Sequence, residues 1–506
     1  MWWSDPNTSD SDDDLMDLFF FCTPPSVALL YSLECRFDGF GEWVTPKPPA
    51  NRFFSMSETT VSIWGSRFML RNSRQTRRDF LRIGALGLSG LTLPGLLRAR
   101  AESAKRGEAI QDTSIIWLFL NGGPSQYETF DPKPGNPLPF RSVVGAVQTN
   151  VPGTMIGGLF KNLSQHADQF SLIRSYTHDS ADHADATHYL MTGHPHRPAA
   201  LGAAQIEPSI GSIVSRFRGP TNPKNLLPTY VRQDYIYGEG PDWLGASHVP
   251  FDLRGKAMEN MSLKFSADRL SDRRGLLKEF DTVNRTIDQS GMMSALDEFE
   301  VRALDLVRGQ AREAFDLSRE DPKVRDRYGK GKENLGEKLL LARRLAEAGV
   351  SLINVRYGSW DSHGTNPSVG HGTIEEEMHK YVPELDRVLS TFLEDLYDRG
   401  LEKKILLAVV GEFGRTPNVD KTSGGRDHWP LLGNQLLAGG GMKMGQIIGS
   451  STSNGAEPKS NPVSPNDLRA TFFKFLGVPL DLQYTHPSGR PRPMLEDGCK
   501  PIEALW

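Results

Sequence analysis

The chain has 506 residues, with 58 lysines and arginines against 62 aspartates and glutamates, so its formal charge is close to neutral. That balance excludes a general nucleic-acid binder, because no overall positive field is present to hold phosphates. Three cysteines, at positions 22, 35 and 499, are too few for a disulfide scaffold or a thiolate zinc site. No uninterrupted apolar run reaches the roughly 20 residues of a transmembrane helix. The composition therefore predicts a globular chain.

The N-terminal region predicts an export signal rather than a folded element. Two adjacent arginines, Arg77 and Arg78, precede an apolar stretch interrupted by glycines, and the small-x-small pattern at 99–101 is typical of a signal-peptidase site. We interpret residues 71–101 as a twin-arginine signal peptide, which predicts transport by the twin-arginine export machinery to the periplasm or the medium. The alternative is an arginine pair that opens a glycine-rich core helix. Residues 1–70 are expected to be a start-site artefact or a disordered leader.

Strands alternate with helices through residues 102–506, which we predict to form a single large domain. In chain order the predicted elements are a strand at 114–120, a helix at 156–168, a strand at 171–174, helices at 267–319 and 332–348, a strand at 351–355, a helix at 373–399, and strands at 404–410 and 435–438. Residues 267–348 are expected to be a helical insertion, and 220–265 and 450–465 to be loops. This alternation predicts an α/β fold whose mostly parallel central sheet is flanked by helices on both faces.

Polar side chains cluster after the predicted core strands. The clusters follow the strands at 114–120, 171–174, 351–355 and 404–410, and they lie at 121–133, 176–196, 357–364 and 411–429. Because the carboxyl ends of parallel strands meet at one edge of a sheet, we expect these clusters to converge. His178, His194 and His196 are read as loop or capping residues in preference to ligands.

Carboxylates and imidazoles that converge in this way predict a divalent-metal site. The expected ligands come from the two later clusters, and they are Asp361, His363, Glu412, Asp427 and His428. Imidazole favours zinc, manganese or iron over calcium, which prefers oxygen ligands alone, and zinc or manganese is the expected metal. The competing readings are that a lone Asp-x-His is common without a metal, and that Glu412 binds a helix N-terminus or pairs with Arg415.

Several of these segments together resemble one exported bacterial family. The segments are the twin-arginine leader, LFLNGGPSQYETFDPKP, SYTH with DHADATHYLMTGHP, YGSWDSHG, and GEFGRTP with GGRDHWP. They are similar to the family called domain of unknown function 1501, which is often described as sulfatase-like and is grouped with the alkaline-phosphatase-like fold. The resemblance covers residues 72–506 and implies a metal-dependent hydrolase of phosphate or sulfate esters.

The resemblance also implies roles for individual positions. Asp361 and His363 resemble the superfamily's metal-binding Asp/His pair, and His428 resembles its last metal-binding histidine. Glu412 stands in the place of a strand-end aspartate. The sequence departs from the family pattern at four points: Asn121-Gly122 where a ligand aspartate is usual, Phe413 where a histidine is usual, His183 where the nucleophile is expected, and no Cys-x-Pro-x-Arg sulfatase motif.

Two hypotheses of different class follow. The first is an exported metal-dependent ester hydrolase in which His183 acts as nucleophile or general base, or a metal-bound water attacks, and Arg415 or Arg426 steadies the anionic ester. Its expected partner is a small anionic ester or a sulfated or phosphorylated polymer, with no nucleic acid and no stable membrane span after signal cleavage. The second is a catalytically inactive binding or surface-assembly protein that keeps the fold.

Overall fold

The computed structural model describes residues 62–63, 66–67, 112–195, 207–254, 311–329, 334–365 and 372–506. The chain divides into two compact units, Met1–Thr76 and Arg77–Trp506. In the first unit, Ser62–Ile63 and Ser66–Arg67 pair as a two-stranded antiparallel hairpin. The predicted signal peptide at 71–101, His196 and residues 267–310 of the predicted insertion lie outside the described residues. The rest of the leader predicted at 1–70 lies outside them too.

In chain order the strands are β1 (Ser62–Ile63), β2 (Ser66–Arg67), β3 (Ser114–Leu120), β4 (Ala146–Gln148), β5 (Met155–Gly157), β6 (Phe170–Tyr176), β7 (Tyr230–Arg232), β8 (Phe251–Asp252), β9 (Leu352–Tyr357), β10 (Ile405–Val410), β11 (Gly414–Arg415), β12 (His428–Trp429), β13 (Gly433–Gly439), β14 (Ile447–Ile448), β15 (Ser450–Ser451), β16 (Pro458–Ser460), β17 (Gln483–Thr485) and β18 (Pro491–Pro493). The α-helices are α1 (His183–Thr192), α2 (Ile210–Arg218), α3 (Ala311–Phe315), α4 (Pro322–Tyr328), α5 (Leu335–Glu347), α6 (Ile374–Asp398) and α7 (Pro465–Leu476). Short 3-10 turns lie at Leu163–Gln169, Asp242–Leu244, Ala246–His248, Leu317–Arg319 and Glu503–Leu505.

The second unit is built on an eight-stranded sheet with the order β14-β6-β13-β10-β3-β9-β7-β8. Strand β3 lies near the middle and pairs in parallel with β10 on one side and β9 on the other. Only β13 among these eight strands runs antiparallel to its neighbours, β10 and β6. The prediction of a mostly parallel central sheet is therefore confirmed.

Both faces of the sheet are covered, as the apolar run of β3 requires. Alternate residues of this strand point to opposite faces, so Ile116 and Leu118 enter one core and Ile115 and Trp117 enter the other. Helices α5 and α6 fill the first core, while α2 and α7 fill the second. All seven residues of β3 are buried. Among the described residues, no helix is long and apolar enough to cross a membrane.

Most predicted strands and the long helices are found within a few residues of the expected bounds. The helix predicted at 156–168 was wrong. That segment holds strand β5 and the 3-10 turn Leu163–Gln169 in place of one helix. A side chain at Gly157 would place its Cβ 2.0 Å from the Glu128 carbonyl oxygen, so the backbones pack directly there. Helix α5 lies in the segment expected to be an insertion. It buries Leu339 and Leu345 in the core, so this helix covers the central sheet. Strand β7, in a segment expected to be a loop, extends the sheet beside β9.

Candidate metal centre

Four side chains meet beyond the carboxyl ends of β3, β9 and β10. Asp361 and His363 lie in the loop after β9, His428 begins β12, and His183 is the first residue of α1. One ligand atom from each of these four residues lies within 4.8 Å of the ligand atoms of the other three. The two later polar clusters and the histidine-rich segment therefore converge, as the sheet topology predicts.

Local backbone packing brings the two later loops together. Gly364 and Gly424 form an antiparallel bridge, and a Cβ on Gly425 would lie 2.0 Å from the backbone carbon of His363. Glycine at 425 therefore lets the loop after β9 lie directly against the loop before β12. This contact places His363 beside Asp427 and His428.

The Asp361 carboxylate is at the centre of the cluster. Its Oδ1 lies 3.2 Å from His183 Nε2, 3.0 Å from His363 Nε2 and 3.3 Å from His428 Nε2. The Nε2 atoms of His363 and His428 are themselves 3.0 Å apart. Three imidazoles thus direct the same ring atom at one carboxylate oxygen.

The opposite ring nitrogen of each histidine binds an acceptor. Nδ1 of His183 donates to Glu412 Oε1 at 2.9 Å, and Nδ1 of His363 donates to Asp427 Oδ1 at 2.7 Å. Nδ1 of His428 donates to the backbone carbonyl of Ala181 at 2.7 Å. Because ionised carboxylates and carbonyls only accept, each Nδ1 carries a proton, and a histidine in its neutral form then directs the lone pair of Nε2 inward.

Four electron-rich atoms that face one another require a positive charge between them. In the metal-free protein that charge is protons: burial lowers the pKa of His183, but its hydrogen bonds to Asp361 and Glu412 outweigh burial and raise the pKa to about 9. The hydrogen bond to Asp361 likewise raises the pKa of His363. Burial opposes ionisation of Asp361, yet hydrogen bonds from the three histidines and Arg415 hold its pKa well below the usual range. Three imidazole nitrogens and one carboxylate oxygen form a donor set that can hold a divalent metal ion.

Two predicted metal ligands lie one layer behind this donor set. Glu412 is buried, and its Oε1 accepts hydrogen bonds from His183 and, at 2.8 Å, from the backbone N–H of Gly122. Its carboxylate therefore orients His183 and is not among the four converging groups. Asp427 holds His363 in the same way, from a side chain that is 74% exposed. The sequence placed both residues in the polar cluster that follows β10, but it did not show which way their side chains turn.

Arg415 forms an ion pair with the Asp361 carboxylate. Its side chain is fully buried, and Nη2 lies 2.6 Å from Asp361 Oδ1 while Nε donates to the Gly123 carbonyl at 2.9 Å. Burial lowers its pKa, against the opposing effect of Asp361. The buried guanidinium presents no open face to an anionic ester. The structure therefore favours a positioning role for Arg415 over the predicted contact with the ester.

Arg426 is also buried and lies away from the cluster. Its guanidinium donates to the carbonyls of Thr416 and Pro417 at 3.0 and 2.6 Å, and it pairs with buried Glu128 at 3.3 Å. These contacts join the loop after β10 to the segment after β3. We therefore assign Arg426 a structural role in place of the predicted contact with the ester.

The remaining marked positions shape the site. A Cβ on Gly122, whose φ is +111°, would lie 2.7 Å from the backbone nitrogen of Asp361, so the first strand ends against the ligand loop. The ring of Phe413 packs 4.6 Å from that of His428 and 5.1 Å from that of His183. His178 binds the Glu412 carbonyl through Nε2 at 2.5 Å, in agreement with its reading as a loop residue. The carbonyl of Ala181 had no signal in the sequence, because any residue could supply it.

The region that contains the four converging residues matches a known protein family. Residues 112–506 match the family described as Protein of unknown function (DUF1501). The chain belongs to the DUF1501 family. Its predicted membership is therefore confirmed over all of the elements that build the site. No curated protein sequence matches the chain.

Several solved structures resemble this chain at low identity. A sulfatase from Pseudoalteromonas sp. is 12% identical, with a TM-score of 0.34, over 77% of this chain and 72% of its own. A phosphonate monoester hydrolase from Silicibacter pomeroyi is 10% identical, with a TM-score of 0.33, over 77% of this chain and 76% of its own. A TAB5 alkaline phosphatase mutant is 11% identical, with a TM-score of 0.31, over 73% of this chain and 99% of its own. These neighbours are sulfatases and alkaline-phosphatase-like enzymes, and at these scores they assign no activity to this chain.

Proposed function

We propose that this DUF1501 protein is an exported, metal-dependent hydrolase of phosphate or sulfate esters. The observation that carries the proposal is the convergence of Asp361 Oδ1 with the Nε2 atoms of His183, His363 and His428. We propose these four residues as the metal ligands and zinc or manganese as the metal. Export rests on the arginine pair and the cleavage pattern within residues 71–101.

A divalent ion in such a site supplies a Lewis acid for the ester oxygen and lowers the pKa of bound water. The chain's own residues hold that site in shape. Glu412 and Asp427 fix the tautomers of His183 and His363, and Arg415 fixes the Asp361 carboxylate. This assignment moves His183 from nucleophile or general base to metal ligand, because its Nε2 faces Asp361 and its Nδ1 is engaged by Glu412.

The substrate we propose is a small anionic ester or a sulfated or phosphorylated polymer. Negative charge on the substrate suits a centre in which an added divalent ion meets only one inward carboxylate, Asp361. The ion and its four direct ligands together carry a positive charge, because the three imidazole ligands are neutral when they bind metal. A catalytically inactive binding protein is the second candidate, and Phe413, packed where a further ligand is expected, favours it.

Metal retention and turnover in paired variants test the proposal. The Asp361→Ala and His428→Ala variants should lose bound metal and hydrolysis of 4-nitrophenyl phosphate and 4-nitrophenyl sulfate, while circular dichroism remains that of the folded protein. His379→Ala is the matched control, because His379 is an exposed histidine of α6 outside the cluster. Unchanged metal content in both ligand variants would exclude the proposed centre. Retained metal binding in the wild type without turnover of either ester class would favour the binding protein.

A further inference from the structure

A cavity of about 450 Å³ lies beside the metal centre, against the ribbon formed by β11 and β12. Asp427 lines this cavity and also accepts the Nδ1 proton of His363, so one side chain belongs to both sites. Successive residues of a strand point to opposite sides, so His428 turns to the cluster while Trp429 lines the cavity. The imidazole of His363 therefore bridges Asp427 of the cavity lining and Asp361 of the metal centre.

Part of the cavity lining is apolar and aromatic. Trp429 and Phe140 both line it, together with Pro417. The indole of Trp429 is held in place, because its Nε1 donates to the Ala456 carbonyl at 2.6 Å. A fixed, partly exposed indole offers a flat surface on which the C–H face of a pyranose ring can pack, with little loss of side-chain entropy on binding.

Other residues of the lining supply acceptors and an amide. Asp427 uses Oδ1 for His363, which leaves Oδ2 to accept a hydrogen bond from a ligand hydroxyl. Asp420 and Asn418 also line the cavity and are exposed. Hydroxyl groups donate to carboxylates and both donate to and accept from amides, so this lining suits a polyhydroxylated ligand.

The charge of the lining decides against an anionic ligand. Among the described residues that line the cavity are two carboxylates, Asp420 and Asp427, and no lysine or arginine. Arg426 lies behind the wall, but its guanidinium is taken up by the carbonyls of Thr416 and Pro417 and by Glu128. A sulfate or phosphate group placed here would meet two carboxylates, with no lysine or arginine in the lining to compensate them.

We propose that this cavity binds one uncharged sugar residue, stacked on Trp429 and hydrogen-bonded to Asp427 and Asn418. As a subsite, it would hold the neutral neighbour of the esterified residue that enters the metal centre, so the substrate would be a glycan that alternates charged and uncharged units. That subsite role rests on the proposed function. The binding of a neutral saccharide does not, and it can be measured without any turnover.

Calorimetric titration of the full chain with defined hexasaccharides tests the proposal. The probes are cellohexaose, laminarihexaose, mannohexaose and agarohexaose, with a heparin hexasaccharide as the sulfated comparison. We expect at least one neutral hexasaccharide to bind, and Trp429→Ala to weaken that binding at least tenfold. Asn418→Ala is a second variant, and because the Asn418 side chain is exposed, its removal should leave folding undisturbed. Tyr235→Ala is the matched control, because it removes an exposed aromatic ring elsewhere.

Metal content measured on the same samples separates this proposal from the proposed function. A loss of neutral-saccharide binding in Trp429→Ala or Asn418→Ala, with wild-type metal content, supports the subsite whether or not ester turnover is found. Absence of binding by all four neutral probes would overturn it. So would binding that is unchanged in both variants, or binding at this cavity that prefers the heparin hexasaccharide.

Discussion

Replacing Glu412 by glutamine isolates the role that its charge plays behind His183. The substitution keeps an oxygen that can accept from Gly122 N–H and His183 Nδ1, but it removes a buried negative charge 2.9 Å from that ring nitrogen. Partners of this kind raise the basicity of a metal-binding histidine, and their loss typically lowers metal affinity about 10- to 100-fold. That range corresponds to about 1.4–2.7 kcal/mol of binding free energy. Glu412→Gln should therefore weaken metal binding by that factor.

Asp427→Asn is the matched variant, because it removes the corresponding charge behind His363. Asp427 is 74% exposed while Glu412 is 1% exposed, so water screens the charge of Asp427, and removing that charge should weaken metal binding less. Competition with a chromophoric chelator gives both affinities, and urea unfolding of the metal-free variants shows that each remains folded. Equal, wild-type affinities in both variants would refute the assignment of these carboxylates as the partners that orient the ligands.

The remaining predictions concern charge, pH and backbone space. Arg426→Met should lower the free energy of unfolding by about 3–5 kcal/mol in urea, because it leaves buried Glu128 unpaired, and metal affinity per folded molecule should not change; a lost affinity would restore Arg426 to the site. Protons on His183, whose pKa is raised to about 9, stabilise the metal-free protein fully below about pH 6.5, and that contribution is lost as the pH rises through 9. Metal affinity should therefore increase from pH 6.5 to 9 with release of protons, measured by calorimetry in buffers of different ionisation enthalpy, and a pH-independent affinity would contradict this. Gly122→Ala should reduce metal content and lower the unfolding midpoint, because its Cβ would meet Asp361 N at 2.7 Å, whereas Gly135→Ala, with open space around it, should do neither.

The strands that position the site were predictable because their sequences permit little else. Strands β3 and β10 are apolar on both faces, and only a sheet covered on both sides buries such a run completely. The antiparallel direction of β13 was not predictable, because its pattern of buried residues is the same in either direction. Helix α1 was missed because it buries polar residues such as Thr187 and His188, which conceal the apolar spacing of an amphipathic helix.

The candidate site was predictable by position and less so by orientation. Asp361, His363 and His428 were expected as ligands and do meet, because strand ends converge in a parallel sheet. Glu412 and Asp427 stand equally near in sequence, but their oxygens are occupied by the Nδ1 protons of two histidines. His183 entered the cluster through the N-terminus of a helix capped by Asp182, a long-range placement that no local pattern encodes.

Metal content of the wild-type protein, purified without chelator and measured by elemental mass spectrometry, tests the central claim most directly. Three inward imidazole nitrogens and one carboxylate oxygen predict near-stoichiometric zinc or manganese, which chelation removes and added metal restores. A protein that contains no divalent metal, and takes up none on titration at pH 8, would contradict the account.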